Sequence, residues 1–351
     1  MDLTIMGAGI FGLSCAWEAA RRGAQVRVID PGGIGAGASG GLVGALAPHA
    51  PETWKPAKEL QLQALLGAAD WWAAIEAAGG RPAGHGRTGR LQAIEDDRAV
   101  ARAEERARNA ETLWQGRAHW RIRPAQGGWE PASPTGLLVD DTLSGRISPR
   151  MALDSLAAAI TASGGQIERR HAGDTPAEAR AAGIDGPVIW CCGAAGLRAI
   201  SRDLGRDIGR GEKGQALSLA VDGVADLPQI YAPGLHVIPH ADGTVAIGST
   251  SERDYTDPQA TDEQLIALHR KAIEAMPRLA DAPVVATWAG ERPRAVTRTL
   301  VLGPWPEQPG HFIANGGFKT GFAMAPLAAG MMIDLVMDGL DRIPDALRLP
   351  Q

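Results

Sequence analysis

Gly7, Gly9 and Gly12 stand in the spacing Gly-x-Gly-x-x-Gly, and an acid, Asp30, follows 18 residues after the last of them. Those residue types in that order suit the binding of a dinucleotide. Gly7 permits the tight turn out of a strand, Gly9 lets a pyrophosphate approach the backbone, and Gly12 lets a helix pack close to the strand. The pyrophosphate then meets the unpaired N–H groups of a helix opening at Ile10 and Phe11, at its positive dipole end. A carboxylate at Asp30 accepts hydrogen bonds from a ribose 2′-OH and repels a 2′-phosphate. FAD or NAD fits that arrangement, and NADP does not.

The elements around the glycines are in register with this reading. Residues 3–6 are a short apolar strand. Residues 10–22 carry Leu13, Ala16, Trp17 and Ala20 at helical spacing, with Gly23 as the stop. Residues 25–30 alternate polar and β-branched side chains as a second strand. In a chain with 45 glycines the register of strand, helix, strand and acid carries the specificity that the glycine pattern alone lacks. Gly35-x-Gly37-x-x-Gly40 repeats the pattern without a strand before it, and Pro48 follows too soon for a full helix. Residues 37–41 also match a nucleophile elbow around Ser39, but only two strands precede it and a glycine loop intervenes. Ser39, Gly40 and Gly41 are better placed as phosphate or ribityl contacts.

The chain has 351 residues, room for two domains. Its net charge of −5 excludes a basic nucleic-acid surface. A strand at residue 3 leaves no room for a signal peptide, and no uninterrupted apolar run spans a bilayer, so a cytoplasmic protein is expected. Cys15, Cys191 and Cys192 lack metal or redox spacing and are read as small buried hydrophobes. The eight histidines show no zinc-like spacing, so no metal is expected.

Residues 31–44 are nearly all small, which suits either a disordered stretch or a backbone pressed against a flat ligand, and their place just after the second strand favours the latter. Helices are expected over 58–78, 98–114, 150–162, 262–275 and 326–337. Strands are expected over 87–94, 186–193, 216–221, 235–239, 244–249 and 311–314, while 129–145 is irregular or strand. The 186–193 run is apolar throughout, as in a parallel sheet buried on both faces. The layout is discontinuous: a βα-type nucleotide domain interrupted by two β-rich insertions. Gly193-Ala194-Ala195-Gly196 follows a strand but lacks the full fingerprint, so no second nicotinamide site is evident.

With these segments in place, the chain resembles the D-amino-acid oxidase/glycine oxidase (DAO) family of FAD-dependent oxidoreductases along nearly its whole length. The resemblance is carried by residues 40–45, by Ile147-Ser148-Pro149-Arg150, by 188–193 followed by Lys213-Gly214-Gln215, and by Ile238-Pro239 with Ile247-Gly248-Ser249-Thr250. Most specific are Glu291-Arg292-Pro293 and the stretch from Gly316 to Pro326. The resemblance implies an α/β fold: a Rossmann-like FAD-binding domain over 1–80, 146–210 and 296–351, with a β-rich substrate-binding domain over 81–145 and 211–295. It implies FAD contacts at Gly193, Gly316, Gly317, Phe318, Lys319, Thr320 and Gly321, in addition to the N-terminal set. Gly40 stands where some relatives carry a flavin-linked His, so the FAD is expected to be non-covalent. Lys213 and Lys319 replace arginines that are common in the family.

The activity implied is oxidation of an amine or amino acid (glycine, a D-amino acid or an N-substituted amino acid) to its imine by hydride transfer to flavin N5. Arg292 is the expected carboxylate anchor, because a guanidinium grips a carboxylate through two parallel N–H bonds. Lys319 is expected to steady the site as a second catalytic group. Tyr231, His236 and His240 are expected to shape the substrate pocket. No obligatory side-chain base is needed, since the flavin carries the chemistry. Oxygen or another acceptor would take the electrons, and a homo-oligomer is compatible with the chain. The competing expectations are a flavoprotein subunit of a dye-linked amino-acid dehydrogenase and an NAD-dependent dehydrogenase.

Overall fold

The structure, a computed structural model, describes residues 1–349. Its first unit follows the N-terminal pattern closely. The strand Asp2–Met6 buries Leu3 and Ile5, the helix Ile10–Arg21 buries Leu13, Cys15 and Ala16, and the strand Gln25–Ile29 pairs in parallel with the first. A Cβ on Gly12 would stand 1.8 Å from the Gly7 carbonyl oxygen, so the helix can approach the turn only with glycine there.

Six strands form one sheet in the order Val301–Pro304, His311–Asn315, Val188–Trp190, Asp2–Met6, Gln25–Ile29, Gln166–Glu168. All neighbours are parallel except the antiparallel edge strand Val301–Pro304. Met6 lies level with Ile29 and with Trp190, which in turn lies level with Ile313. Gly7, Asp30, Cys191 and the chain after Asn315 therefore gather at one carboxyl end, where open α/β sheets bind ligands. The helix Gly321–Asp338 packs against Ile10–Arg21 and against Pro56–Gly79, burying Ala328, Ala329, Met332 and Ile333. By length and composition it could cross a membrane; in this fold it packs against two other helices with 39% of its residues buried.

The second sheet has eight strands: Val284–Ala295, Gly209–Ala220, Thr244–Gly248, Leu235–Pro239, Gln229–Ala232, Arg90–Ala93, Leu137–Asp141 and Trp120–Pro124. It is antiparallel apart from the pair Gln229–Ala232 with Arg90–Ala93. Ile230, Val237, Val245, Ile247 and Leu219 form its core beneath the helix Glu263–Ala275. Ala45–Leu46 and Gly145–Arg146 form a separate two-stranded ladder.

Several elements differ from expectation. The last long helix begins at Gly321 and runs through Pro326, because the buried side chains of Ala323, Met324 and Ala325 hold the turn despite one missing backbone bond. The strand expected at 216 starts at Gly209, its polar residues secured by pairing with Val284–Ala295. That partner strand, unexpected from the sequence, carries Glu291, Arg292 and Arg294 among apolar residues, and Pro293 is tolerated because the strand lies at the sheet edge. The helix Gly193–Asp203 was concealed by its glycines, and the short helix Pro176–Ala181 by its length. Within the small-residue segment a 3-10 turn forms at Ala38–Gly40. All three cysteines are unpaired, and burial pushes the Cys191 and Cys192 thiols up, the latter to about 12.

Candidate active site

A cavity of about 910 Å³ separates the carboxyl end of the six-stranded sheet from the edge strand Val284–Ala295. One wall is the N-terminal unit. Asp30 Oδ2 accepts from Ala8 N at 2.8 Å, and Oδ1 accepts from Gly32 N at 2.8 Å and Gly33 N at 3.0 Å. These three amides hold the carboxylate at the end of its strand, facing the cavity. Ser39 Oγ accepts from Ile10 N at 3.0 Å, so the hydroxyl stands at the helix N-terminus where an anion is favoured. A Cβ on Gly9 would lie 3.0 Å from that same oxygen, which leaves this surface open only to a residue without one.

The far wall comes from the second sheet and from residues 316–321. Arg292 is 8% exposed, and burial pushes its pKa down to about 10, with Glu212 and Glu252 opposing the shift. Its guanidinium lies over the empty face of Gly214, where a Cβ would sit 1.6 Å from Nη1. Nη1 donates to Thr250 O at 3.2 Å, and the group stands 5.6 Å from the Trp288 ring centre. Among the described residues no carboxylate pairs with it. Glu212 lies opposite Arg292 in the ladder but binds Arg294 and Ser251 instead. Burial pushes the Glu212 carboxyl up, yet the bonds from Ser251 and Arg294 outweigh it and leave the pKa below the usual range.

Phe318 N donates to Pro293 O at 3.1 Å, tying the glycine-rich loop to the edge strand beside Arg292. Lys319 follows, with Nζ 5.5 Å from the Phe318 ring centre and no carboxylate partner among the described residues. Lys319 is exposed, yet the residues around its ammonium partly desolvate it and push its pKa down. The Arg292 charge adds to this, against Glu212. Gly317 must lack a Cβ because Phe11 stands 2.3 Å from where it would be. Gly321 opens the helix that follows.

Of the expected site residues, Gly9, Ile10, Phe11, Asp30, Ser39, Gly40, Gly41, Gly193, His236, Arg292, Gly317, Phe318, Lys319 and Gly321 all line this cavity. Gly7, Gly12, Gly316 and Thr320 lie behind it as turn and packing residues. Gly7 and Gly316 have φ of +106° and +80°, and Thr320 Oγ1 donates to Gly317 O at 3.2 Å. The three residues expected to shape the pocket part company. His236 lines the cavity, and burial pushes its imidazole down to about 4. Tyr231 stands outside the lining, its ring 5.1 Å from that of His236 and under the Arg90 guanidinium. His240 is buried below the small-residue loop, with Nε2 3.0 Å from Leu42 O, and serves that loop rather than the cavity.

Sequence reasoning passed over Trp288, which lines the cavity, and Arg198, which also lines it and grips Glu291 through two bonds of 3.0 Å. The signal for Trp288 was its place four residues before Arg292. On a strand that puts both on one face, but it needs the strand to be recognised first.

The residues present fit an extended dinucleotide. A fixed carboxylate, a helix N-terminus, a strip of backbone without side chains and a cationic end follow one another along a single cavity. Comparison with known proteins agrees. The family model described as FAD dependent oxidoreductase (DAO) matches residues 2–335. A glycine oxidase from Pseudomonas putida is 28% identical over 358 residues, covering 95% of this chain and 94% of the relative. In fold the chain is similar to a glycine oxidase from Geobacillus kaustophilus, with TM-score 0.83 and 21% identity over 100% of this chain and 98% of that one. It is similar also to an iminodiacetate oxidase from Chelativorans sp. BNC1, with TM-score 0.81 and 23% identity over 99% and 98%. With the fingerprint, the cavity and the family match in agreement, the chain belongs to the DAO family of FAD-dependent oxidoreductases.

Proposed function

We propose that this protein oxidises a small amino acid, primary or N-substituted, at the carbon bearing nitrogen. The observation that carries the reading is Arg292: a buried guanidinium on the cavity wall with no carboxylate partner among the described residues. A buried charge without a direct ion-pair partner is costly, and a substrate carboxylate would complete it through two parallel N–H···O bonds. The relatives named for glycine and iminodiacetate support a small carboxylate-bearing amine.

Asp30 would accept the ribose hydroxyls of FAD, and Ile10, Ser39, Gly40 and Gly41 would follow the pyrophosphate and ribityl chain. Gly317, Phe318 and the N-terminus of Gly321–Asp338 would face the flavin, with no covalent link. Bound FAD would supply a two-electron acceptor for the hydride of the substrate carbon, and the imine product would hydrolyse in water. Arg292 orients the substrate by its carboxylate so that the reacting C–H faces the flavin. Lys319 and Arg292 together make the cavity positive, which favours the neutral amine whose lone pair assists hydride loss. His236, held neutral by burial, lines the cavity without adding charge. The same reading assigns 1–80, 146–210 and 296–351 to FAD binding and 81–145 and 211–295 to substrate binding.

The test is anaerobic bleaching of the flavin spectrum against glycine, D-amino acids, N-methyl amino acids and cyclic imino acids. Stoichiometric bleaching by at least one class is expected. A yellow protein that none of them bleaches would overturn the reading and favour a partner-dependent flavoprotein subunit, whereas a colourless protein binding NAD would favour a nicotinamide dehydrogenase.

A further inference from the structure

The cationic end of the cavity holds more positive charge than one carboxylate uses. Arg292, Arg294 and Lys319 gather there, and the acids around them are already committed. Glu212 is bound by Arg294 and Ser251. Glu252 faces Lys213 at 3.6 Å and accepts from Gln215 Nε2 at 3.0 Å. Glu291 is held by Arg198 and by the Tyr255 hydroxyl. With Glu212 set against Arg294, Arg292 and Lys319 remain, and neither has a carboxylate within ion-pair distance among the described residues.

The segments that carry these two cations are tied together by one backbone bond. The bond from Phe318 N to Pro293 O, 3.1 Å, joins the residue after Arg292 to the residue before Lys319. Both side chains line the cavity. Lys319 accordingly feels the Arg292 charge as a repulsion, which Glu212 opposes from a distance but no protein acid relieves by pairing directly with either cation among the described residues. A single substrate carboxylate on Arg292 would neutralise one charge of the pair. A dianion would neutralise both.

Resting on the amino-acid reading above, we propose that the preferred substrate is a dicarboxylic amino acid. Its first carboxylate is gripped by Arg292 and its second, a few bonds away on the nitrogen or carbon side, is met by the Lys319 ammonium. The second carboxylate takes no part in electron transfer; it sets affinity and selects the substrate. Lys319 is thereby a specificity-determining residue.

The test uses the FAD-loaded protein and non-oxidisable anions, read as perturbation of the flavin spectrum at constant ionic strength. Malonate and succinate should bind roughly thirtyfold more tightly than acetate, as one added charge-assisted hydrogen bond implies. Lys319→Met should bring that ratio to within about threefold of unity, and Lys319→Arg should retain most of it. N-carboxymethylglycine and aspartate, compared with sarcosine and alanine in anaerobic bleaching, show on which side the second carboxylate lies. A wild-type ratio near one would overturn the proposal. So would a Lys319→Met protein that weakens acetate and the dicarboxylates equally, since Lys319 would then serve the flavin or the first carboxylate. Either result leaves the amino-acid reading standing if sarcosine or alanine still bleaches the flavin, so the two failures are distinguishable.

Discussion

His236 shows how a single side chain can be informative by being uncharged. Its Nδ1 is buried without a hydrogen-bond partner, and Arg90 and Lys319 reinforce the burial that pushes its pKa down to about 4. Protonation of an unfolded histidine sets in near pH 6.5, so below that the unfolded chain takes up a proton that the fold refuses. Stability is unaffected by this group above pH 6.5 and falls as the pH drops from there to about 4, by about 3 kcal/mol in total. Replacing His236 with Gln should flatten the acid limb of the stability curve by that order. Thermal unfolding of the FAD-loaded protein between pH 7 and 4 checks this, and identical slopes in both proteins would show that the imidazole titrates normally. The contrast with His240 is physical. His236 is half-buried and His240 buried, and His240 spends its Nε2 on Leu42 O and supports a loop. From sequence alone the two were equivalent, since nothing local marks which of two imidazoles borders a cavity.

Among the elements, the pairing of Gly209–Ala220 with Val284–Ala295 decides the site. Gly214 lies level with Gly290, and the Arg292 guanidinium folds back over it. The three atoms nearest a methyl group at position 214 would all belong to the Arg292 guanidinium, so the end of a flexible side chain is the first thing that must yield. Gly214→Ala should therefore leave thermal stability within about 1 kcal/mol of the parent while raising the substrate KM at least about tenfold through displacement of the anchor. Steady-state kinetics beside an unfolding curve measures both; an unchanged KM would show that the guanidinium position is immaterial. The N-terminal unit was legible because local periodicity, turn glycines and a terminal acid agree within 30 residues. The edge strand was not, because Glu291, Arg292 and Arg294 break apolar alternation and their pairing partners lie some 80 residues away. Arg292 itself could be named from its motif, whereas Trp288 could be placed only once its strand was known.

At the scale of the whole molecule, two sheets of different character meet at one cavity. The parallel sheet offers its carboxyl ends, the antiparallel sheet offers an edge, and each brings what the other lacks: dipoles and a carboxylate suited to a nucleotide from one, the buried guanidinium of Arg292 from the other. The order of these parts was readable because the family pattern extends along the chain. The closeness of Arg292 to Lys319 was not, since it depends on one backbone bond between segments of different sheets. The claim on which the account turns is that Arg292 holds the substrate by its carboxylate. Anaerobic flavin bleaching by sarcosine and by dimethylamine, in the parent and in Arg292→Ala, tests it most directly. The parent should bleach at sarcosine concentrations at least about a hundredfold below those needed for dimethylamine, and the variant should lose that preference while keeping its FAD. Equal preference in parent and variant would contradict the account.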